Sequence, residues 1–122
     1  MSLLRPLDPS FPIERQLALE GGPVVLVNIF TLDKTDEPVL LQARQDDAEF
    51  MKRQPGFIST QLHRSIGDSA TFLNYALWES TARFRAAFTN PEFQSKLSRY
   101  PASAVATPHL LQKIAVPDVC VA

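Results

Sequence analysis

Two asparagines and a tryptophan lie within apolar stretches that are predicted to be strands: Asn28 in residues 24–32, and Asn74 and Trp78 in residues 70–78. A buried carboxamide needs hydrogen-bond partners, because leaving it unsatisfied costs about 1–3 kcal/mol. Each asparagine therefore either makes a structural hydrogen bond to a bulge or loop, or orients an oxygen atom of a substrate. If the three side chains point into one apolar space, they form a pocket with a few convergent polar groups, which is typical of small-molecule sites.

Two further groups could handle a proton or a charge at such a pocket. His63 lies in the predicted second strand, and an imidazole with an ordinary pKa suits general base catalysis near neutral pH. Otherwise it is a strand histidine at the sheet surface or at a dimer interface. Arg44 and Asp47 face inward by helical phase and, three residues apart, can pair across one turn. They either form a structural ion pair or leave Arg44 to stabilise a phenolate or peroxide anion.

The phenylalanines have a similar double interpretation. Phe72 shares a face of its predicted strand with Asn74 and Trp78, and Phe84 and Phe88 form the inner side of the helix that follows. Such spacing is typical of a hydrophobic core, but a pocket in this region would be lined by the same side chains. The predicted site has a catalytic set and a substrate-binding set: Asn74, Trp78 and His63, and Asn28, Arg44, Phe72, Phe84 and Phe88.

The sequence lacks the motifs of other common chemistries. It contains no glycine-rich dinucleotide or phosphate-binding loop, no Gly-x-Ser-x-Gly nucleophile elbow and no His-Glu-x-x-His zinc motif. Two histidines and the single cysteine, Cys120, cannot readily supply a three-ligand metal site. We therefore expect neither a cofactor nor a metal.

Size and composition narrow the class of protein. A chain of 122 residues makes one domain, and its formal net charge of −1 provides no electrostatic footprint for nucleic acid or an anionic membrane. No apolar run approaches the roughly 20 residues that a membrane span needs, and prolines interrupt the region where a signal peptide would have its apolar core. Because a lone thiol cannot form an internal disulfide, we expect a reduced, cytoplasmic protein.

The candidate site residues must be positioned by the elements around them. Residues 1–22, with three prolines, predict an extended arm, residues 23–116 the folded domain, and residues 117–122 a tail. The predicted elements of the domain are a strand at 24–32, a helix from Thr35 or Asp36 to about Gln54, a hairpin of strands at 57–66 and 70–78, a helix capped by Ser80, a helix restarting at Asn90-Pro91, and a strand at about 108–116.

This βαββαβ order predicts the ferredoxin-like α+β fold, in which the helices cover one face of a four-stranded antiparallel sheet. The first and third strands are apolar on both faces, so the face without helices also needs a cover. For a domain of this size, a second copy of the same chain is the simplest cover. We therefore predict a homodimer with its two sheets face to face.

The motifs along this pattern resemble those of a known family. Pro55-Gly56-Phe57, Asn74-Tyr75-x-x-Trp78-Glu79-Ser80 and Asn90-Pro91-Glu92-Phe93, at their offsets along the helix–strand–strand–helix pattern, resemble the antibiotic biosynthesis monooxygenases, and the likeness extends over roughly residues 23–116. The resemblance implies a dimeric α+β barrel.

The resemblance also implies roles for particular residues. Family members that oxidise aromatic polyketides to quinones have a similar Asn-Tyr-x-x-Trp-Glu-Ser run, and their pocket asparagine and tryptophan correspond to Asn74 and Trp78. Those enzymes use a tyrosine six residues beyond the tryptophan, where this chain has Phe84. One polar participant of their site is therefore missing here.

Residues and resemblance together predict a cofactor-independent monooxygenase that acts with O₂ on a small electron-rich aromatic or quinol. The alternatives are a non-catalytic small-molecule-binding or protective dimer, and an interaction dimer with a filled core. Haem degradation is disfavoured. Haem-degrading relatives pair a first-strand asparagine, which Asn28 matches, with a tryptophan and an iron-ligating histidine on later helices, and residues 86–99 contain neither.

Overall fold

The structure is a computed structural model that describes residues 3–122. Its strands are β1 (Val24–Thr31), β2 (Phe57–Arg64), β3 (Thr71–Trp78) and β4 (Val105–Leu111). Its α-helices are α1 (Ile13–Gln16), α2 (Glu37–Met51), α3 (Thr81–Phe88) and α4 (Pro91–Lys96), with 3₁₀ turns at Lys34–Asp36 and Leu97–Arg99.

The four strands form one antiparallel sheet in the order β2-β3-β1-β4. With α2 between β1 and β2, and α3 and α4 between β3 and β4, this is the βαββαβ arrangement of the ferredoxin-like fold. The predicted fold class is therefore confirmed. The helices lie on one face of the sheet, so alternate residues of every strand point either toward the helices or toward the open face.

Capping residues begin α3 and α4 at the positions that the sequence predicts. The Ser80 hydroxyl accepts a hydrogen bond from the Arg83 backbone N–H at 3.1 Å and caps α3. The Asn90 side chain accepts from the Glu92 N–H at 2.8 Å and caps α4, which begins with Pro91. After α2, Gly56 adopts a φ of +88°, a left-handed conformation that favours glycine and turns the chain into β2.

The core between helices and sheet has two clusters. The first is centred on Trp78 and Phe84 and includes Val24, Leu26 and Phe93 among its buried members. The second lies toward the opposite end of β1 and β3, and its buried members are Phe30, Leu40, Ala43, Phe72, Tyr100, Ala104 and Ala106. In the first cluster, Phe57, Trp78, Phe84, Phe88 and Phe93 form a continuous row of ring contacts, with successive centroids 5.4–5.6 Å apart.

Two predictions about the chain ends differ from the structure. The N-terminal arm is not simply extended, because α1 forms there and Ile13 and Leu17 are buried in the first cluster. Strand β4 runs from Val105 to Leu111 rather than from about 108 to 116. The observed strand therefore has a proline in its interior, which is unusual because proline lacks the N–H that a sheet interior requires.

The structure explains how Pro108 is accommodated inside β4. The Ala106 N–H donates outward to the Leu3 carbonyl at 2.8 Å, and the Arg5 N–H donates to the Ala106 carbonyl at 2.8 Å. Two residues on, the nitrogen of Pro108 has the same outward direction by strand alternation, away from β1. No hydrogen bond within the sheet is lost.

The face of the sheet away from the helices is mainly apolar at its centre. Half-buried or exposed side chains on this face include Val27, Ile29, Leu73, Tyr75 and Leu77. Among the helices of residues 3–122, none has the length and apolar character that crossing a membrane requires.

Candidate active site

A small cavity lies between the helices and the sheet, within the first core cluster. Its volume is about 40 Å³. Trp78 and four phenylalanines provide much of the apolar lining: Phe57 from β2, and Phe84, Phe88 and Phe93 from α3 and α4, which we call the phenylalanine wall. Four side chains bring hydrogen-bonding groups to the otherwise apolar lining: Asn28, Arg44, Thr60 and Asn74.

Strand register brings the two asparagines together. Asn28 on β1 and Asn74 on β3 are directly opposite each other in the antiparallel ladder, so their side chains share one face. Trp78 follows Asn74 by four residues and therefore points to the same face. All three side chains line the cavity, and Asn74 and Trp78 are 4% and 1% exposed. The structure thus places in one cavity the three residues from which the sequence-based hypothesis started.

The two amides differ in their hydrogen bonding. The Asn74 carbonyl oxygen accepts a hydrogen bond from the Thr60 hydroxyl at 2.6 Å, which fixes the orientation of that side chain. The Asn28 carbonyl oxygen is buried and accepts no hydrogen bond from any residue within 3–122. A buried acceptor in this state is destabilising by about 1–3 kcal/mol. Asn28 is therefore the amide that has an acceptor to offer to a ligand.

Arg44 reaches the cavity from α2 and is held there by several contacts. Its Nη1 lies 3.7 Å from Asp47 Oδ2 and 3.2 Å from the Tyr100 hydroxyl, to which it donates. Its guanidinium lies 5.3 Å from the centre of the Phe30 ring. The predicted pairing of Arg44 with Asp47 is therefore present, while the Nε of Arg44 is buried without a partner among residues 3–122.

The carboxylate and the phenol behind Arg44 have shifted acidities. The Tyr100 hydroxyl donates a hydrogen bond to Asp47, whose side chain is 1% exposed. Burial raises the pKa of Asp47 above its ordinary value, although the hydrogen bond from Tyr100 and the charge of Arg44 act in the opposite direction. Burial also raises the pKa of Tyr100 well above its ordinary value, and so Tyr100 stays a neutral hydrogen-bond donor.

The structure does not place His63 in this cavity. A β-bulge between Phe57 and Ser59 shifts the alternation of β2, so Phe57 faces the helices while His63 faces the open side of the sheet. There His63 is exposed, and its Nδ1 lies 3.3 Å from the Leu73 carbonyl oxygen. His63 therefore lies at the sheet surface, which was the alternative to a role as general base, and it is not a candidate base for this cavity.

Phe72 also lies outside the cavity. It is on the helix-facing side of β3, as predicted, but six residues before Trp78, and it belongs to the second core cluster. The guanidinium of Arg64 lies 5.6 Å from its ring centre. Phe84 and Phe88, by contrast, line the cavity, and Phe84 packs edge-on against Trp78 with ring centroids 5.5 Å apart.

Sequence reasoning missed two residues that organise the site. Thr60 orients the Asn74 amide, but it comes to the cavity face only because of the β2 bulge, which leaves no recognisable signal in the sequence. The spacing of Tyr100 from Phe93 and Leu97 is typical of an apolar helical stripe, so the sequence does not single out its hydroxyl. Its hydroxyl has partners in Arg44 and Asp47 only because of the tertiary fold. Within residues 3–122, no three His, Cys, Asp or Glu side chains cluster as metal ligands.

The fold and the cavity together define a ferredoxin-like α+β domain that encloses a small apolar site with a few polar groups. The sequence profile described as "Antibiotic biosynthesis monooxygenase" matches residues 23–95. The chain therefore belongs to the antibiotic biosynthesis monooxygenase family. Membership supports a monooxygenase-type function at the level of the family and leaves the substrate open.

Solved structures share this fold. SnoaB, described as a cofactor-independent oxygenase from Streptomyces nogalater, is 24% identical with a TM-score of 0.71, and the match covers 80% of this chain and 99% of SnoaB. A candidate monooxygenase from Shewanella loihica PV-4 is 29% identical with a TM-score of 0.67 over 81% of this chain and 100% of that one. No protein of curated function shows significant sequence similarity to the chain.

Proposed function

We propose that this protein is a cofactor-independent monooxygenase that oxidises a small electron-rich aromatic or quinol with O₂. The observation that carries the proposal is the convergence of Asn28, Asn74 and Trp78 on one small apolar cavity. Family membership and the likeness in fold to SnoaB, a protein described as a cofactor-independent oxygenase, support it.

The chemistry asks the substrate to supply the electrons. A deprotonated phenol can pass an electron to O₂, so the protein has to hold the ring, exclude water and stabilise negative charge on oxygen. In the proposed site Asn28 and Asn74 hold substrate oxygens, Arg44 stabilises the anion, and Trp78 packs against the ring. The apolar lining strengthens each of these interactions because it lowers the local dielectric constant.

The cavity volume sets a condition on substrate binding. A cavity that takes up benzene measures about 150 Å³, whereas this one measures about 40 Å³. An aromatic ring can therefore enter only if part of the lining moves. The wall is carried by α3 and α4, helices of eight and six residues, which are the two shortest α-helices between the strands. We propose that these two helices shift when substrate binds.

A second function is supported by the same feature. Phe84 stands where the quinone-forming relatives have a tyrosine, and together with Phe88 and Phe93 it fills space that a substrate would need. A non-catalytic small-molecule binder or protective protein would keep the enclosed site without the oxygen chemistry. It would take up the same ligands without consuming O₂.

We also propose that the protein is a homodimer of a reduced cytoplasm. The open face of the sheet carries Val27, Ile29, Leu73 and Leu77 side by side, and burying such a face against a second copy removes apolar surface from water. The single cysteine, Cys120, is an exposed free thiol and so suits a reducing compartment. Equilibrium sedimentation at micromolar concentration should give a dimer mass, and a monomer mass would contradict the proposal.

Oxygen consumption with a panel of hydroquinones, without added cofactor, tests the proposed activity. Asn74→Ala and Trp78→Phe should each lower turnover, and Asn74→Ala by about 100-fold or more, the usual effect of losing one hydrogen-bonding group at a developing oxyanion. Gln45→Ala, on the exposed side of α2, is the matched control and should leave turnover unchanged. Circular dichroism establishes that each variant is folded.

The outcomes separate the two functions. Hydroquinone-dependent oxygen uptake that falls in both site variants supports the enzyme. Binding of hydroquinones without oxygen uptake supports the non-catalytic binder. Unchanged turnover in both site variants would refute the assigned site.

A further inference from the structure

Two buried polar atoms of the cavity residues lack partners, and they are of opposite kinds. The Asn28 carbonyl oxygen can only accept a hydrogen bond, and the Nε of Arg44 can only donate one; neither has a partner within residues 3–122. A phenolic hydroxyl is complementary to this pair, because it can donate to the first and accept from the second. Once ionised, it is complementary to Arg44 in charge as well.

The positive charge of Arg44 already has a partner in Asp47. Nη1 of Arg44 lies 3.7 Å from Oδ2 of Asp47, and the Tyr100 hydroxyl donates to the same carboxylate. The second oxygen of the carboxylate, Oδ1, is buried and has no hydrogen-bond partner among residues 3–122. One buried oxygen of Asp47 is thus satisfied and the other is not. Protonation of the carboxyl group would remove its negative charge and so lower the cost of burying the oxygen that has no partner.

The charged and titratable groups around Asp47 come from several elements. Arg44 and Asp46 lie on α2, Lys96 ends α4, and Tyr100 follows the 3₁₀ turn after it. Burial raises the pKa of Asp47, while hydrogen bonding by Tyr100 and the charges of Arg44 and Lys96 lower it and Asp46 raises it. Any change that withdraws Arg44 from Asp47 therefore raises this pKa further.

We propose that Asp47 is the internal counter-charge of the site: it pairs with Arg44 while the cavity is empty, and it takes up a proton when the oxyanion of an aromatic hydroxyl binds Arg44. This inference rests on the proposed function, since it specifies the ionisable hydroxyl that the site would take. The proton leaves the substrate hydroxyl, the oxyanion stays beside Arg44, and the proton ends on the Asp47 carboxylate, so the charge of the complex is unchanged. Asp47 does not line the cavity and acts as a positioning residue through Arg44.

The proposal fixes the direction of the pH dependence. With rising pH, Asp47 loses its proton and competes with the bound anion for Arg44, so the affinity for a preformed phenolate should fall. In Asp47→Asn this competition is absent. The affinity of this variant for the anion should exceed that of the unmodified protein by roughly 5- to 150-fold, the range usual for coupled sites. Its affinity should also be independent of pH wherever the probe is fully ionised.

The probe for the test is para-nitrophenol, whose anion absorbs visible light and whose neutral form does not. It is electron-poor, so its binding is measured without turnover. Below the pKa of the probe, the unmodified protein should bind it as the coloured anion. Isothermal titration calorimetry in two buffers of different ionisation enthalpy should find almost no proton released. Asp47→Asn should also bind the anion, but with about one proton released for each probe bound.

Several outcomes would overturn the proposal. Equal proton release by the two proteins would show that Asp47 does not take the proton, and binding of the colourless form would show that no anion is stabilised. Absence of any probe binding would also overturn it, because the proposal assigns the cavity to ionisable aromatic hydroxyls. Lack of oxygen consumption with hydroquinones would refute the proposed enzyme but not this binding mechanism, so the two failures are distinguishable.

Tyr100→Phe provides a second test that keeps Asp47 in place. The variant removes one donor to the Asp47 carboxylate, which raises the pKa of Asp47. The fall in phenolate affinity with pH should therefore move to higher pH than in the unmodified protein. An unshifted pH profile in this variant would contradict the proposal even if Asp47→Asn failed to fold. Lys34→Gln removes an exposed partner of Asp68, and because neither residue contributes to the pKa of Asp47, it is the control that should leave the profile unchanged.

Discussion

The two core clusters lie on the same face of the sheet and share helix α2, but they are built differently. In the cluster around Phe30, Leu40 and Phe72, the apolar side chains fill the space. In the cluster around Trp78, strand positions facing the helices carry Asn28 and Asn74 instead, and a cavity remains. The comparison teaches that one half of the layer stabilises the fold, while the other carries buried polar groups and a cavity at a cost in stability, as the proposed site would require.

The filled cluster should give the largest change in stability. Leu40 is fully buried, and Leu40→Ala should lower the free energy of unfolding by about 2–5 kcal/mol, because apolar contacts are lost and a void is left. Urea denaturation measures this change. Turnover per folded molecule should stay the same, and a selective loss of turnover would mean that the two clusters are not functionally separate.

A substitution in the phenylalanine wall should change stability less, and ligand binding more, than Leu40→Ala does. Phe88 is only half-buried, so Phe88→Ala should cost less than the about 3–5 kcal/mol typical of a buried phenylalanine. The larger cavity should admit aromatic ligands faster, which stopped-flow binding of para-nitrophenol measures. Slower or unchanged association would argue against the movement of the wall as the step that limits access.

Loss of the Asn28 carboxamide from the cavity should not destabilise the protein. Asn28→Leu removes a buried carbonyl oxygen that has no partner among residues 3–122, so the free energy of unfolding should rise by about 1 kcal/mol. Binding and turnover of hydroquinones should fall in the same variant. A clear loss of stability would mean that Asn28 has a structural role instead.

Asp47 should give the smallest effect, visible as a pH dependence of stability. Its pKa is raised in the folded protein, so the native state holds the proton more tightly than the unfolded chain. The free energy of unfolding should therefore fall as pH rises from the ordinary aspartate pKa through the raised one, with the full stabilisation present only below the former. Urea titrations across this pH window should show the decline in the unmodified protein and a weaker decline in Asp47→Asn.

Much of the fold follows from local signals in the sequence. Ser80 and Asn90 mark the starts of α3 and α4, and the apolar strands and the intervening helix give the βαββαβ order. The inward phase of Arg44 and Asp47 on α2, and their pairing, also follow from helical periodicity. These features are predictable because each depends on residues within one or two turns of the chain.

The remaining features depend on contacts between distant segments. The bulge after Phe57 turns His63 away from the cavity, and no residue at that position is a recognisable sequence signal for a bulge. Phe72 lies on the predicted face of β3 but at the end of the strand away from the cavity. Which end carries the cavity depends on where α3 and α4 pack. The partners of Tyr100 come from a helix more than fifty residues earlier, so its hydroxyl could not be separated from an apolar stripe.

The pairing of Leu3 and Arg5 with Ala106 has a consequence for the behaviour of the protein at high concentration. A free outer strand offers a row of N–H and C=O groups on which another chain can add and so begin aggregation. Here the groups of Ala106 are already occupied, and Pro108 has no N–H to offer. The N-terminal segment and Pro108 thus protect this edge of the sheet from the addition of strands from other molecules.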